Sequence, residues 1–98
     1  MEQREQRMDW SPVEIRDAIK ATGISVDELA GKLGCKKASL YQAMKSDGYR
    51  RYEEMIALYL GLTVENIWPA RVAARREKAE RRERSLLKAS ELAIQQVA

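Results

Sequence analysis

The sequence predicts an all-α fold: five short helices closed into one small domain, followed by an extended C-terminal helix. Three observations predict it. Apolar residues recur at three- and four-residue intervals, the period of a helix with one buried face. Start and stop signals bracket each stripe: Ser11, Ser25 and Thr63 stand where N-caps belong, and Gly23, Gly34 and Gly61 stand where helices end. From Arg71 onward the chain has no Gly or Pro and is rich in helix formers.

Taken in order, residues 1–8 are charged and without periodicity, which predicts a mobile arm ahead of a domain at 9–71. Asp9-Trp10-Ser11-Pro12 opens the fold. Ser11 caps, Pro12 suits the first helical position, and Glu14 closes a capping box. The first helix runs to about Ala21, with Ile15, Ala18, Ile19 and Thr22 on its inner face and Trp10 over one end of the core. Ser25 and Glu28 form a second capping box, ahead of the stripe Val26, Leu29, Ala30 and Leu33. Gly34 turns the chain, and Leu40, Ala43 and Met44 begin the next stripe.

Ser46-Asp47-Gly48 is a turn by composition. A fourth helix is expected over about Tyr52 to Leu60, with Ile56, Ala57 and Leu60 facing inward, and Gly61 ends it. Thr63 caps a short fifth helix, Val64 to Trp68, which Pro69 terminates. Its Val64, Ile67 and Trp68 close the core against the first helix. The tail, 72–98, reads as one long helix, polar all round at first and amphipathic at its end, where Leu86, Ala89, Leu92, Ala93 and Val97 share a stripe. The pairs Glu77 with Arg81 and Glu80 with Arg84 each support it by about 0.2–0.5 kcal/mol. Nothing in 71–84 forms an apolar seam, so a continuous coiled coil is excluded.

Composition narrows the function classes. A chain of 98 residues has room for one domain, and at this size folding buries only roughly 60% of the unfolded surface. No apolar run spans a bilayer and the first residues lack the apolar core of a signal peptide, so a cytoplasmic protein with no membrane partner is expected. Cys35 is the only cysteine and there is no histidine. No cofactor, metal site or catalytic residue is expected: an internal disulfide is impossible, a zinc site lacks its usual ligands, and no His exists to activate a nucleophile. Cys35 reads as a half-buried structural thiol. The acidic pairs Asp27-Glu28 and Glu53-Glu54 read as charges at helix N-termini.

The net charge of +3 says little, but its distribution says more. Residues 32–51 hold Lys32, Lys36, Lys37, Lys45, Arg50 and Arg51 against a single acid, Asp47, while 1–31 and 52–70 are acidic on balance. A basic band of this kind is the footprint of a polyanionic partner. It falls on the second of two helices joined by a glycine turn, with small Ala30 where the helices must approach closely. That is the spacing of a helix-turn-helix.

Double-stranded DNA is therefore the expected partner, with the helix at about 37–45 in the major groove. For base readout the candidates are Lys37, Ala38, Ser39, Tyr41 and Gln42. Gln42 suits adenine, Lys37 suits guanine O6 and N7, and Ala38 suits a thymine methyl. Ser39 reaches a base or a phosphate, and Tyr41 a stacking partner or a phosphate. Lys32, Lys36, Lys45, Arg50 and Arg51 are the candidates for phosphate contact.

Asp9-Trp10 before the first helix, Ser25 through Gly34, Leu40 to Met44, and the ending Ile67-Trp68-Pro69-Ala70-Arg71 together resemble the Ner family. These are small DNA-binding regulators of Mu-like phages with Ner-like relatives in bacteria. The resemblance covers 9–71, and its Trp-Pro ending is the most discriminating piece, since a helix-turn-helix as such does not require it. It implies a domain similar to that of the lambda repressor and a function in shutting down early promoters by binding operator DNA. Two departures stand out: Lys36-Lys37-Ala38 is more basic than the family pattern, and the chain from about Arg75 extends past the family's usual end.

A second reading makes the domain a scaffold for assembly, with the amphipathic end at 86–97 docking a partner. Homodimerisation is open by two routes, on DNA or through the C-terminal helix. An enzyme is the most distant reading, for want of a His, a glycine-rich phosphate loop or a carboxylate pair in apolar surroundings.

Overall fold

Serine caps start the first two helices as the sequence predicts. In the computed structural model, which describes residues 8–97, the helices are α1 (Pro12–Ala21), α2 (Val26–Leu33), α3 (Lys37–Lys45), α4 (Arg50–Tyr59), α5 (Val64–Ile67) and α6 (Pro69–Val97). There is no strand among the described residues. Apart from Met8, the expected arm at 1–8 lies outside the described residues, as does Ala98 at the end of the tail.

Both serine capping boxes are complete: Ser11 Oγ accepts from Glu14 N, Ser25 Oγ from Glu28 N, and each glutamate returns a bond to its serine's N–H. Thr63 and Asn66 do the same for α5. These reciprocal bonds satisfy amide donors that a helix start otherwise leaves unpaired.

One core unites the five short helices. Ile15 and Ile19 of α1 meet Val26, Leu29 and Ala30 of α2, Leu40, Ala43 and Met44 of α3, and Ile56 and Ala57 of α4. Ile67 and Trp68 close it from below, and both are fully buried. Trp10, Leu33, Cys35 and Tyr52 pack at its edge.

Three expectations are corrected. Helix α4 begins at Arg50, two residues before the expected start, so both arginines belong to its first turn. Tyr49 is the N-cap and provides no side-chain cap, which is why composition did not mark the boundary. The long helix begins at Pro69 itself. Proline ends α5 yet suits the first position of α6, because the amide it lacks has no intrahelical partner there. Asp9 supplies the cap: its Oδ1 accepts from the backbone N–H of Ala70 at 2.8 Å and of Arg71 at 3.2 Å.

The opening turns of α6 are therefore not polar all round. Arg71, Val72 and Arg75 are half-buried against the domain. Beyond them the helix leaves the core. Its 29 residues give a rod of about 43 Å at ~1.5 Å per residue, which accounts for the 66 Å longest dimension. Its distal half exposes Leu86, Leu87, Leu92 and Ile94. No helix among the described residues is long and apolar enough to cross a membrane.

Candidate nucleic-acid interface

Helices α2 and α3 meet through a glycine turn. Gly34 has φ +74°, the left-handed region, and its N–H reaches Gly31 O at 3.3 Å while Cys35 N–H reaches Ala30 O at 3.0 Å. Those two bonds are the Schellman pattern that ends a helix sharply. Ala30 is buried at the crossing, so α3 lies close across α2.

Leu40, Ala43 and Met44 anchor α3 to the core. At 100° per residue, Ala38, Gln42 and Lys45 then fall together on the opposite side, and all three are exposed. They form the outer ridge. Lys37 lies on one flank, exposed, with Nζ 3.4 Å from Asp27 Oδ2 of α2. Tyr41 shares that flank but is half-buried and packs against the core edge. Ser39, on the other flank, is also half-buried. Of the five candidates for base readout, Ala38 and Gln42 thus stand on the ridge, and Lys37, Tyr41 and Ser39 beside it.

The candidates for phosphate contact frame this ridge. Lys32 near the end of α2 and Lys36 at the N-cap of α3 flank the turn, Lys45 closes α3, and Arg50 and Arg51 open α4. All five are exposed, and no ion pair engages any of them among the described residues.

What fixes the far end of α3 is a set of residues that sequence reasoning missed. Glu53 is fully buried in the first turn of α4. Its Oε2 accepts from Arg71 Nη1 at 2.9 Å and from Arg75 Nη2 at 2.6 Å. Arg71 Nη1 also donates to Ala43 O of α3 at 2.7 Å, and its guanidinium lies 4.9 Å from the Trp68 ring centre. Arg75 reaches Asp47 in the α3–α4 turn through Nε at 2.9 Å and through Nη2. Two guanidinium groups and two carboxylates thus form a neutral quartet joining α3, its following turn, α4 and α6.

Electrostatics follow the contacts. The Arg75 hydrogen bond holds the Asp47 carboxyl below its ordinary value of 3.8. Glu53 above all, and then Asp47, keep Arg75 still more firmly protonated than a free arginine.

The opening and the ending of the domain meet in space. Trp10 N–H donates to Ile67 O at 2.9 Å, one residue from the Asp9 cap on α6. The Asp9-Trp10 opening and the Ile67–Arg71 ending are halves of one joint.

A family model described as winged helix-turn-helix DNA-binding matches residues 9–84, which takes in the whole five-helix domain and about half of α6. With no strand among the described residues, the wing of that description has no strand counterpart, and α6 fills the end of the matched range. No curated protein matches the chain as a relative.

Proposed function

Since the chain belongs to the winged helix-turn-helix DNA-binding family, we propose that it is a sequence-specific transcriptional repressor of the Ner type. The family itself makes the chain a DNA-binding regulator with double-stranded DNA as its partner. As a repressor, the domain at 9–71 acts with α3 in the major groove of an operator in the bacterial cytoplasm, on nucleoid DNA. The regulator is non-enzymatic.

The observation that carries this reading is the outer ridge of α3, Ala38, Gln42 and Lys45, standing exposed opposite a fully buried anchor. Gln42 pairs with adenine through its two-sided amide, Ala38 meets a thymine methyl, and Lys37 donates to guanine from the flank. Ser39 and Tyr41, half-buried, take the adjoining sugar-phosphate or base edge. Lys32, Lys36, Lys45, Arg50 and Arg51 set the register on phosphates and carry no sequence information themselves.

Binding measured against Gln42→Ala and Arg50→Ala separates the two roles. The first variant loses discrimination between sites, and the second loses affinity evenly across all of them. Equal loss from both, at every site, contradicts the assignment.

A second reading is favoured by one observation. The tail at 72–98 carries Leu86, Leu87, Leu92 and Ile94, each more than half exposed. Isolated helices draw little stability from polar residues alone, and the stripe of Leu86, Ala89, Leu92 and Ala93, flanked by the other exposed apolar side chains, suits a homodimer joined through α6. Sedimentation at increasing concentration, with Leu86→Lys as the control, tests it. A monomer at all concentrations, free and on DNA, removes the dimer.

A further inference from the structure

An open groove lies between the α3–α4 turn with the start of α4 and the second to fourth turns of α6, walled by Asp47 and Arg50 on one side and by Arg75, Lys78 and Arg82 on the other. Asp47 and Arg75 belong to the neutral quartet with Glu53 and Arg71. The groove is left with three cations, Arg50, Lys78 and Arg82, and none of them has an ion-pair partner among the described residues.

The sequence of α6 leaves them uncompensated. Three and four positions away from Lys78 stand Ala74, Arg75, Arg81 and Arg82; from Arg82, they are Lys78, Ala79, Ser85 and Leu86. No carboxylate shares that face. On other faces of the same helix, by contrast, Arg76 pairs with Glu65 and Arg81 with Glu77. Like charges one turn apart on a helix repel, and Arg50 adds a third charge across the groove. Such a site suits a ligand carrying several regularly spaced negative charges. The groove's near wall, Asp47, Gly48 and Arg50, is the turn that follows α3 and the first residue of α4.

We propose that Arg50, Lys78 and Arg82 form a second phosphate-contact site that holds the DNA backbone beyond the segment under α3. The long helix is then part of the DNA-binding surface rather than a separate tail. This rests on the reading of α3 as the DNA-contacting helix.

The test is fluorescence anisotropy with the full chain and a labelled duplex longer than two helical turns, over a series of salt concentrations. Lys78→Ala with Arg82→Ala removes two phosphate contacts. It makes the slope of log K against log salt shallower by about 1.8, and weakens binding by roughly tenfold or more near ~0.1 M salt. Arg76→Ala with Arg81→Ala removes equal charge from paired positions and leaves the slope as in the parent chain. Circular dichroism checks that each variant folds, and Lys78→Gln with Arg82→Gln repeats the test with less change in helix packing. An unchanged slope in the groove variants, or an equal change in the paired control, overturns the second site and leaves the reading of α3 standing. Failure of the parent chain to bind duplex DNA overturns both.

Discussion

Arg71 on α6 and Glu53 on α4, eighteen residues apart in the chain, form a buried ion pair at 2.9 Å. Glu53 is wholly shielded from water and the Arg71 side chain is 9% exposed. Taking two charges out of water is unfavourable; the bond from Arg71 to the Ala43 carbonyl of α3 and that from Arg75 to the same carboxylate oxygen work against this cost, while Glu53 Oε1 is buried with no hydrogen-bond partner. The pair thus ties the end of the candidate recognition helix to the rod behind it.

Glu53→Ala leaves two guanidinium groups facing an empty site, one of them buried. Removing one partner of a buried pair destabilises a fold by about 3–5 kcal/mol, a large share of what a small domain possesses. Urea unfolding followed by circular dichroism measures it. A loss below about 1 kcal/mol, the range of exposed pairs, shows that the pair does not hold the fold.

Asp47 gives the fold a pH dependence of known sign. Its carboxyl titrates below its ordinary 3.8 in the folded chain because Arg75 bonds the ionised form. Folding therefore favours the deprotonated group. The stability it adds is fully present above pH 3.8 and is lost as pH falls through the lower, folded value. Asp47 is largely exposed, so the effect is small. Asp47→Asn is accordingly less stable than the parent chain at neutral pH, and the two converge in acid. Parallel stability curves across that range contradict the coupling.

Gly34→Ala separates backbone strain from crowding. The residue has φ +74°, and nothing lies within 4 Å of where a Cβ would stand. The cost is then conformational, about 1–2 kcal/mol, with no steric addition. Thermal unfolding reads this directly. A much larger loss points to contacts at the turn that a Cβ disturbs. Under conditions where the variant is fully folded, its DNA affinity matches the parent's.

At the ridge, Gln42→Ala removes a bidentate partner for adenine and lowers discrimination at that base by about 1–3 kcal/mol. Lys37→Ala does the same at guanine and also breaks the exposed contact to Asp27, whose effect on stability is about 0–1 kcal/mol. Competition between duplexes that differ at one position measures both. Equal loss on all duplexes reassigns the residue to phosphate.

The parts of this fold legible in the sequence are those fixed over short distances. Ser11 with Glu14, Ser25 with Glu28, and Gly34 after Leu33 all act within a turn or two, and each stands in the structure as the spacing predicts. The start of α4 was not legible, because Tyr49 offers no side-chain cap to mark it. Nor was the burial of Glu53, since its partners are 18 and 22 residues away on a helix whose first turns carry no apolar stripe. Arg71 and Arg75 look like surface charges until the fold brings them to a carboxylate. For Lys78 and Arg82 a local signal did exist: no acid stands three or four positions from either.

The most direct test of the central claim is a selection. The chain is titrated with a pool of duplexes of randomised centre, and the bound fraction is sequenced at two salt concentrations. Enrichment of one motif is expected, with affinity falling steeply with salt: about five phosphate contacts around α3 give a slope near −4 to −5, steepened to about −6 where Lys78 and Arg82 also engage the backbone. Binding that is insensitive to salt, or a bound pool no different from the input, contradicts a sequence-specific regulator reading the major groove through α3.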